Sequence, residues 1–316
     1  MNQRLAASSC VSLALTALLA CANPDTAPTP LTESERAALT EPVEHNYGPT
    51  GDKTTLFNSL DLNLRTWNDT AAKQLRDDLR LRNQLGAILT RQVFWNFDTI
   101  LNELKTGNQR NRVIAAAALG FTPTISKDDK EEPRSRRAVP ALLEALDEGD
   151  DLLTQNAMLA LQQIADPDTP REPIFKLLLN HHNPEVRANA ALAAARLIRP
   201  EEASRWLAEL SAAYNSDDEP KVKLHVVKAL GNTKHADAAF VLTRALNDKT
   251  PTVQAAAADA LGNLGFPEAC RYLIDKLDAG VAAVRDIAHD ALCRLAGKDY
   301  GTRRDDWQDW CNAHKK

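Results

Sequence analysis

Beyond Asp98 the chain repeats one arrangement of apolar and polar positions, clearest in NPEVRANAALAAARLI, residues 183–198. With Val186 as position 0, Val186, Ala190, Ala193, Ala194 and Leu197 fall at positions 0, 4, 7, 8 and 11, one face of an α-helix. The same frame starts at Asn111, Leu153, Val222, Val253 and Val284, so the unit occurs six times. Position 7 is alanine in every copy: Ala118, Ala160, Ala193, Ala229, Ala260 and Ala291. Position 4 carries Ala115, Ala157, Ala190, Val226, Ala257 and Ala288. Small residues one turn apart predict helices in close approach, and a bulky replacement there overpacks at about 1–3 kcal/mol.

Seven residues before position 0, five copies place a leucine: Leu104, Leu146, Leu179, Leu246 and Leu277. Each ends an amphipathic segment such as AVPALLEAL or AAFVLTRAL, and turn residues follow, as in NHHNPE or NDKTP. Proline there is pre-set for the first turn of a helix. Each unit therefore reads as helix, short turn, helix, with frames 31 to 42 residues apart. The longest gap holds a charged insertion, TPTISKDDKEEPRSRR, whose stretch from Lys127 to Arg137 reads first as a solvated loop and second as a docking element.

These paired helices, with V-R-x-x-A-x-x-A-L heading the second, resemble HEAT repeats, particularly the short bacterial type first associated with phycobilisome lyases. The resemblance covers residues 98–297 and implies an all-α fold, an α-solenoid of about six helical hairpins with helical caps at both ends. It also implies that the residue after position 0 meets acids of the turns. Arg112, Arg187 and Arg285 fit that pattern, whereas Thr154, Lys223 and Gln254 depart from it and interrupt the ladder. The segment LAGKDYGTRRDDWQDW, residues 295–310, resembles a closing segment of bacterial HEAT-repeat proteins. Trp307 and Trp310 are expected to turn back onto the last repeat, in a C-terminal cap over residues 298–316. Residues 54–97 read as an N-terminal helical cap with Leu75, Leu79, Leu85, Ile88 and Leu89 on its apolar stripe, and contain Trp67 and Trp95.

The chain opens with Arg4 and an apolar run from Val11 to Ala20, too short to span a bilayer. Leu18, Leu19, Ala20 and Cys21 resemble the bacterial lipobox, which implies a signal peptide over residues 1–20 and a lipid on Cys21. Acyl chains contribute about 0.8 kcal/mol per buried methylene, so such an anchor replaces a spanning helix. Ala20 and Ala22 also fit an A-x-A cleavage site, which would release a soluble secreted or periplasmic protein. Residues 21–53 are rich in Pro, Thr, Glu and Asp and read as a disordered tether. The lipobox reading places the protein in the bacterial cell envelope, and Ala22 after Cys21 leans toward the outer membrane by resemblance to enterobacterial sorting rules.

Charge and chemistry narrow the function. Net charge is −5, and −6 without residues 1–20, which disfavours nucleic acid. No GxSxG, GxGxxG, Walker loop or HExxH occurs, and no catalytic residue or cofactor is expected. His181 and His182 lie in a predicted turn where adjacent side chains diverge, and no metal set stands at ligand spacing. Iron-binding hydroxylases of HEAT-like build use His-Glu pairs, and no His-Glu dipeptide is present. Nothing beyond the repeat supports tetrapyrrole attachment. Beyond Cys21, the chain after the leader holds Cys270, Cys293 and Cys311; Cys270 and Cys293 meet if their helices run antiparallel, and three unpaired thiols is the other reading.

What remains is surface. Off the main stripe, positions 5 and 6 of the second helices include Met158, Leu159, Ala191, Leu192, Val227 and Ala258. Helices apolar nearly all round are buried on several sides. The alternative is an exposed concave strip, with Met158, Ala191, Val227 and Ala258 as candidate contacts for a protein partner. The function expected is an envelope scaffold or adaptor for a protein partner of unknown identity, with an accessory enzyme or lyase-like protein, or a structural spacer, as alternatives.

Overall fold

The computed structural model describes residues 51–71, 76–122 and 133–314. Residues 1–20, Cys21, most of the 21–53 segment, Leu75 and most of the charged insertion lie outside the described residues. Among the described residues there is no strand, and no helix is long and apolar enough to cross a membrane. The described chain forms α1 (Lys53–Ala71), α2 (Arg76–Thr106), α3 (Gln109–Leu119), α4 (Ser135–Ala145), α5 (Asp151–Ile164), α6 (Glu172–Asn180) and α7 (Pro184–Leu197). It continues with α8 (Ala203–Ser216), α9 (Pro220–Asn232), α10 (Ala238–Ala245), α11 (Pro251–Leu264), α12 (Cys270–Leu273), α13 (Ala282–Ala296) and α14 (Arg304–Ala313). Short 3₁₀ turns at Pro200–Glu202, Pro267–Ala269 and Ile274–Asp278 complete it.

Local chemistry sets these boundaries. Asn108, Asp150 and Asn183 cap α3, α5 and α7 by accepting hydrogen bonds from first-turn amides, and Pro184, Pro220 and Pro251 open α7, α9 and α11. Gly265 and Gly297 close α11 and α13 in the left-handed region, with φ of 77° and 67°. Helix α2 is two helical parts joined at a kink, and the second of them is the first half of the first hairpin. The two parts join at Asn96, whose backbone leaves the helical region (φ −118°, ψ 20°) and whose side-chain amide donates to the Gln92 carbonyl at 2.9 Å.

The chain divides into two compact units, residues 1–166 and 167–316. In the first, α1 packs on α2 and α3, α2 on α3 and α4, α3 on α5, and α4 on α5. In the second, α7, α9, α11 and α13 pack each on the next, while α6 packs on α8, α8 on α10, and every first helix on its own second helix. Second helices thus stack on second helices, the arrangement of an α-solenoid of HEAT-like hairpins. The repeated positions explain the stacking. All residues at positions 4 and 7 are buried, from Ala115 and Ala118 to Ala288 and Ala291. Position 0 is buried from Leu153 onward, and the preceding leucines Leu104, Leu146, Leu246 and Leu277 are buried too. In the third hairpin Leu179 is half-buried and Leu178 fills the core instead.

Position 9 reveals how close the stack is. A Cβ added to Gly120 would lie 3.1 Å from Cα of Ala160, to Gly231 2.7 Å from Cβ of Ala260, and to Gly262 2.8 Å from Cβ of Ala291. In each case the neighbour is the position-7 alanine of the following repeat. Glycine on one helix and alanine on the next are therefore two halves of one contact.

The tryptophans divide by environment. Trp307 on α14 is fully buried and donates from Nε1 to the Gly301 carbonyl at 2.6 Å; Trp310 is half-buried and lies against His314. In the first unit Trp67 is half-buried against Phe121, whereas Trp95 is 53% exposed. Of the stripe expected before the repeats, Leu85 and Leu89 are buried, Ile88 is half-buried and Leu79 is exposed.

Candidate functional site

The four candidate partner contacts, Met158, Ala191, Val227 and Ala258, are fully buried. They occupy position 5 and, being buried, cannot offer an accessible strip. The correction has a simple angular reason. One residue further on, a helix turns by about 100°, and position 6 emerges from the packing. Ala117, Leu159, Leu192, Lys228, Asp259 and Asp290 are all half-buried. Within the second unit, Leu192, Lys228, Asp259 and Asp290 lie on α7, α9, α11 and α13, four helices packed in succession. One turn beyond them, Arg196, Asn232 and Arg294 are exposed and Asn263 is half-buried. This face runs from apolar at Leu192 through basic at Lys228 to acidic at Asp259 and Asp290. On it Arg294 pairs with Asp259 at 2.7 Å.

The residues after position 0 serve the scaffold. Arg187 binds Asp217 with two hydrogen bonds, 2.6 and 3.1 Å, and its third nitrogen reaches the carbonyls of His181 and His182 at 2.9 and 3.0 Å. Burial pushes the Asp217 carboxyl up, but the bonds from Arg187 and the Glu219 amide, with the charges of Arg187 and Lys223, outweigh it and hold the group below the usual carboxylate range. Lys223 keeps the pairing despite its departure from arginine, with Nζ 3.4 Å from Asp248. Gln254 donates instead to the Asp248 carbonyl oxygen of its own turn at 2.7 Å, and Arg285 to the Ala279 carbonyl oxygen at 2.7 Å. Arg112 donates to the Leu104 carbonyl at 2.8 Å and pairs with Glu148. His181 and His182 do not diverge as expected: their rings stack with centroids 4.5 Å apart.

Sequence reading also placed the cysteines differently. Cys270 is joined in a disulfide to Cys311, with Cα atoms 5.7 Å apart, and Cys293 is a free thiol. The link ties α12 to α14 and is possible because the chain reverses after α13.

That reversal also assembles a cluster with metal-ligating chemistry. His289 and Cys293 stand one turn apart on α13, and the following loop brings Asp299 beside them. His289 Nε2 is 3.0 Å from Asp299 Oδ1 and 3.6 Å from Cys293 Sγ. Asp299 Oδ1 also accepts the Gly301 amide at 2.7 Å. Burial and the nearby carboxylates of Asp299 and Asp290 push the Cys293 thiol up to about 11. The Gly301 amide and His289 hold the Asp299 carboxyl below its ordinary range. The four-residue spacing of His289 and Cys293 was visible in the sequence; the loop that supplies Asp299 was not.

The fold is thus an all-α solenoid built from helical hairpins. The family described as HEAT repeats matches residues 139–214 and 207–293. A comparison with curated proteins finds no match. Similar solved structures include a designed armadillo repeat protein, 20% identical, covering 62% of this chain and 98% of that one with a TM-score of 0.47. Another designed armadillo repeat protein, in complex with the peptide (KR)4, is 19% identical over 62% of this chain and 98% of that one, TM-score 0.47. Human deoxyhypusine hydroxylase is 17% identical, with 78% of this chain and 98% of that one covered and a TM-score of 0.35.

Proposed function

We propose that this protein is a scaffold that binds a protein partner at the bacterial cell envelope, held there by a lipid on Cys21. The observation that carries the binding part is the face across α7, α9, α11 and α13, where Leu192, Lys228, Asp259 and Asp290 are partly accessible on rigid, mutually packed helices. A preordered surface loses little conformational freedom on binding, and stacked repeats suit extended protein segments. The lipid part is supported by Leu18, Leu19, Ala20 and Cys21, which resemble a lipobox.

Two variants test the two parts separately. Lys228→Glu should reduce capture of the protein partner from envelope extracts about tenfold or more without changing helical content, since charge reversal at a contact costs more than about 1.4 kcal/mol. Equal capture by wild type and variant would remove this face from the proposal. Cys21→Ser should move the protein from the membrane to the soluble fraction and abolish incorporation of labelled fatty acid; unchanged membrane association would refute the anchor.

A further inference from the structure

We infer that His289, Cys293 and Asp299 form a binding site for a zinc-class divalent cation, with three protein ligands and one position open to solvent. Geometry is the first ground. A tetrahedral ion with bonds of about 2.0–2.1 Å to nitrogen, about 2.3 Å to sulfur and about 2.0–2.2 Å to oxygen separates N from S by about 3.6 Å and N from O by about 3.4 Å. The observed separations are 3.6 and 3.0 Å, and all three ligand atoms lie within 4.8 Å of one another. The N–O separation must widen by about 0.4 Å to admit the ion, a movement the exposed Asp299 side chain can make.

Hydrogen-bond chemistry is the second ground. Sulfur and carboxylate oxygen converge on the same imidazole nitrogen, Nε2, which carries either one hydrogen or one lone pair. The thiol also hydrogen-bonds the Asp299 carboxylate, so the three ligand atoms face one common point, and a cation placed there replaces all three hydrogen bonds at once. The Gly301 amide on Asp299 supplies the outer hydrogen bond that orients a metal-binding carboxylate.

The repeat itself is the third ground. His289 and Cys293 occupy positions 5 and 9 of the last repeat. In the five preceding repeats position 5 is Ala116, Met158, Ala191, Val227 and Ala258, all fully buried. Position 9 is small in four of the five, Gly120, Ala195, Gly231 and Gly262, with Gln162 the exception, and at the three glycines a following helix leaves no room for a Cβ. The last repeat meets no such helix there; the loop carrying Asp299 and Tyr300, and Trp307 of α14, cover that flank. Packing therefore no longer demands small or apolar residues, and the two side chains placed there are both metal ligands one turn apart. Asp299 is 61% exposed at its side chain, which leaves a path for the ion and a water at the fourth position. The sulfur ligand selects zinc, cobalt or their like over magnesium and calcium.

The test is titration of the full chain with cobalt(II), followed by zinc. Expected is one cobalt per chain with a thiolate-to-cobalt charge-transfer band in the near ultraviolet, displaced by zinc. Cys293→Ser should remove the band, and His289→Gln should weaken binding about 100-fold, as loss of a ligand exceeds the 10–100-fold cost of losing an outer partner. Both variants are close in shape to the native residues, and unchanged far-ultraviolet circular dichroism with an intact Cys270–Cys311 disulfide verifies that they fold. A wild-type chain that gives no charge-transfer band, a band of equal strength in Cys293→Ser, or undiminished affinity in His289→Gln would each overturn the site.

Discussion

Replacing Gly231 by alanine measures how tightly neighbouring repeats interlock. In an unobstructed helix this change stabilises by about 1 kcal/mol, because alanine is the better helix former. At Gly231 the new Cβ would lie 2.7 Å from Cβ and 2.9 Å from Cα of Ala260, against about 3.5–4.0 Å for a relaxed carbon contact. Both opposing atoms are fixed to the backbone of α11, so no rotamer change relieves the deficit of about 1 Å, and α9 and α11 must move apart. Overpacking of that kind costs about 1–3 kcal/mol, which outweighs the propensity gain and leaves a net loss of about 1 kcal/mol. Gly86 is the matched control: it is also inside a helix, but its added Cβ would meet only Nε1 of Trp67 at 3.6 Å, an ordinary contact. Urea unfolding monitored by circular dichroism should therefore show opposite signs, Gly86→Ala raising the midpoint and Gly231→Ala lowering it at unchanged slope. Adding Ala260→Gly to Gly231→Ala should recover part of the loss, giving a favourable coupling in the double-mutant cycle. If Gly231→Ala proves as stable as the parent, the close approach of the second helices is not what the glycine is for.

Three further outcomes follow from groups already described. His225 is buried, and burial with the charges of Lys228 and Lys221 lowers its pKa from 6.5 to about 4; the unfolded chain therefore binds a proton that the folded chain refuses. Stability should be full above pH 6.5 and fall by up to about 3 kcal/mol as pH drops toward 4, and His225→Met should flatten the unfolding midpoint across that window. Arg187→Ala strands the Asp217 carboxylate and should cost about 3 kcal/mol, whereas Arg187→Lys, which keeps the charge but not the paired hydrogen bonds, should cost visibly less in the same urea assay. Reducing the Cys270–Cys311 disulfide opens a link spanning 41 residues, worth about 4 kcal/mol in the chain-entropy account; calorimetry with and without reductant should show a lower melting transition, and an unchanged one would mean that packing alone holds α14.

The phase of the repeat was legible because position 4 is small and apolar and position 7 alanine in every copy, and burial follows those positions closely. The flanks were not. Periodicity identifies the face that meets a helix's own partner, but says nothing of which flank the next hairpin covers, so it left Met158, Ala191, Val227 and Ala258 open between core and accessible strip, and they are core. The signal that could have separated positions 5 and 6 was present: position 6 turns from Leu192 to Lys228, Asp259 and Asp290 while position 5 stays apolar until His289. The Cys270–Cys311 pairing and the His289–Cys293–Asp299 cluster both depend on a reversal of the chain after Gly297, and loop direction has no periodicity to reveal it. Thr154, a departure from arginine, is buried, while Lys223 preserves the ionic contact by other means, a substitution that spacing alone could not price.

The different character of the last repeat bears on how such a chain can change length. Val222, Val253 and Val284 are 31 residues apart, and a module of that size, copied between α9 and α11, would bring its own glycine and alanine to meet both neighbours. A module appended after α13 would instead confront an imidazole where the other repeats carry apolar residues, and a thiol where the two repeats before it carry glycine. Insertion of a copied module is thus easier within the series than after it, where the terminal hairpin works like a buckle that stays in place however many links the strap contains.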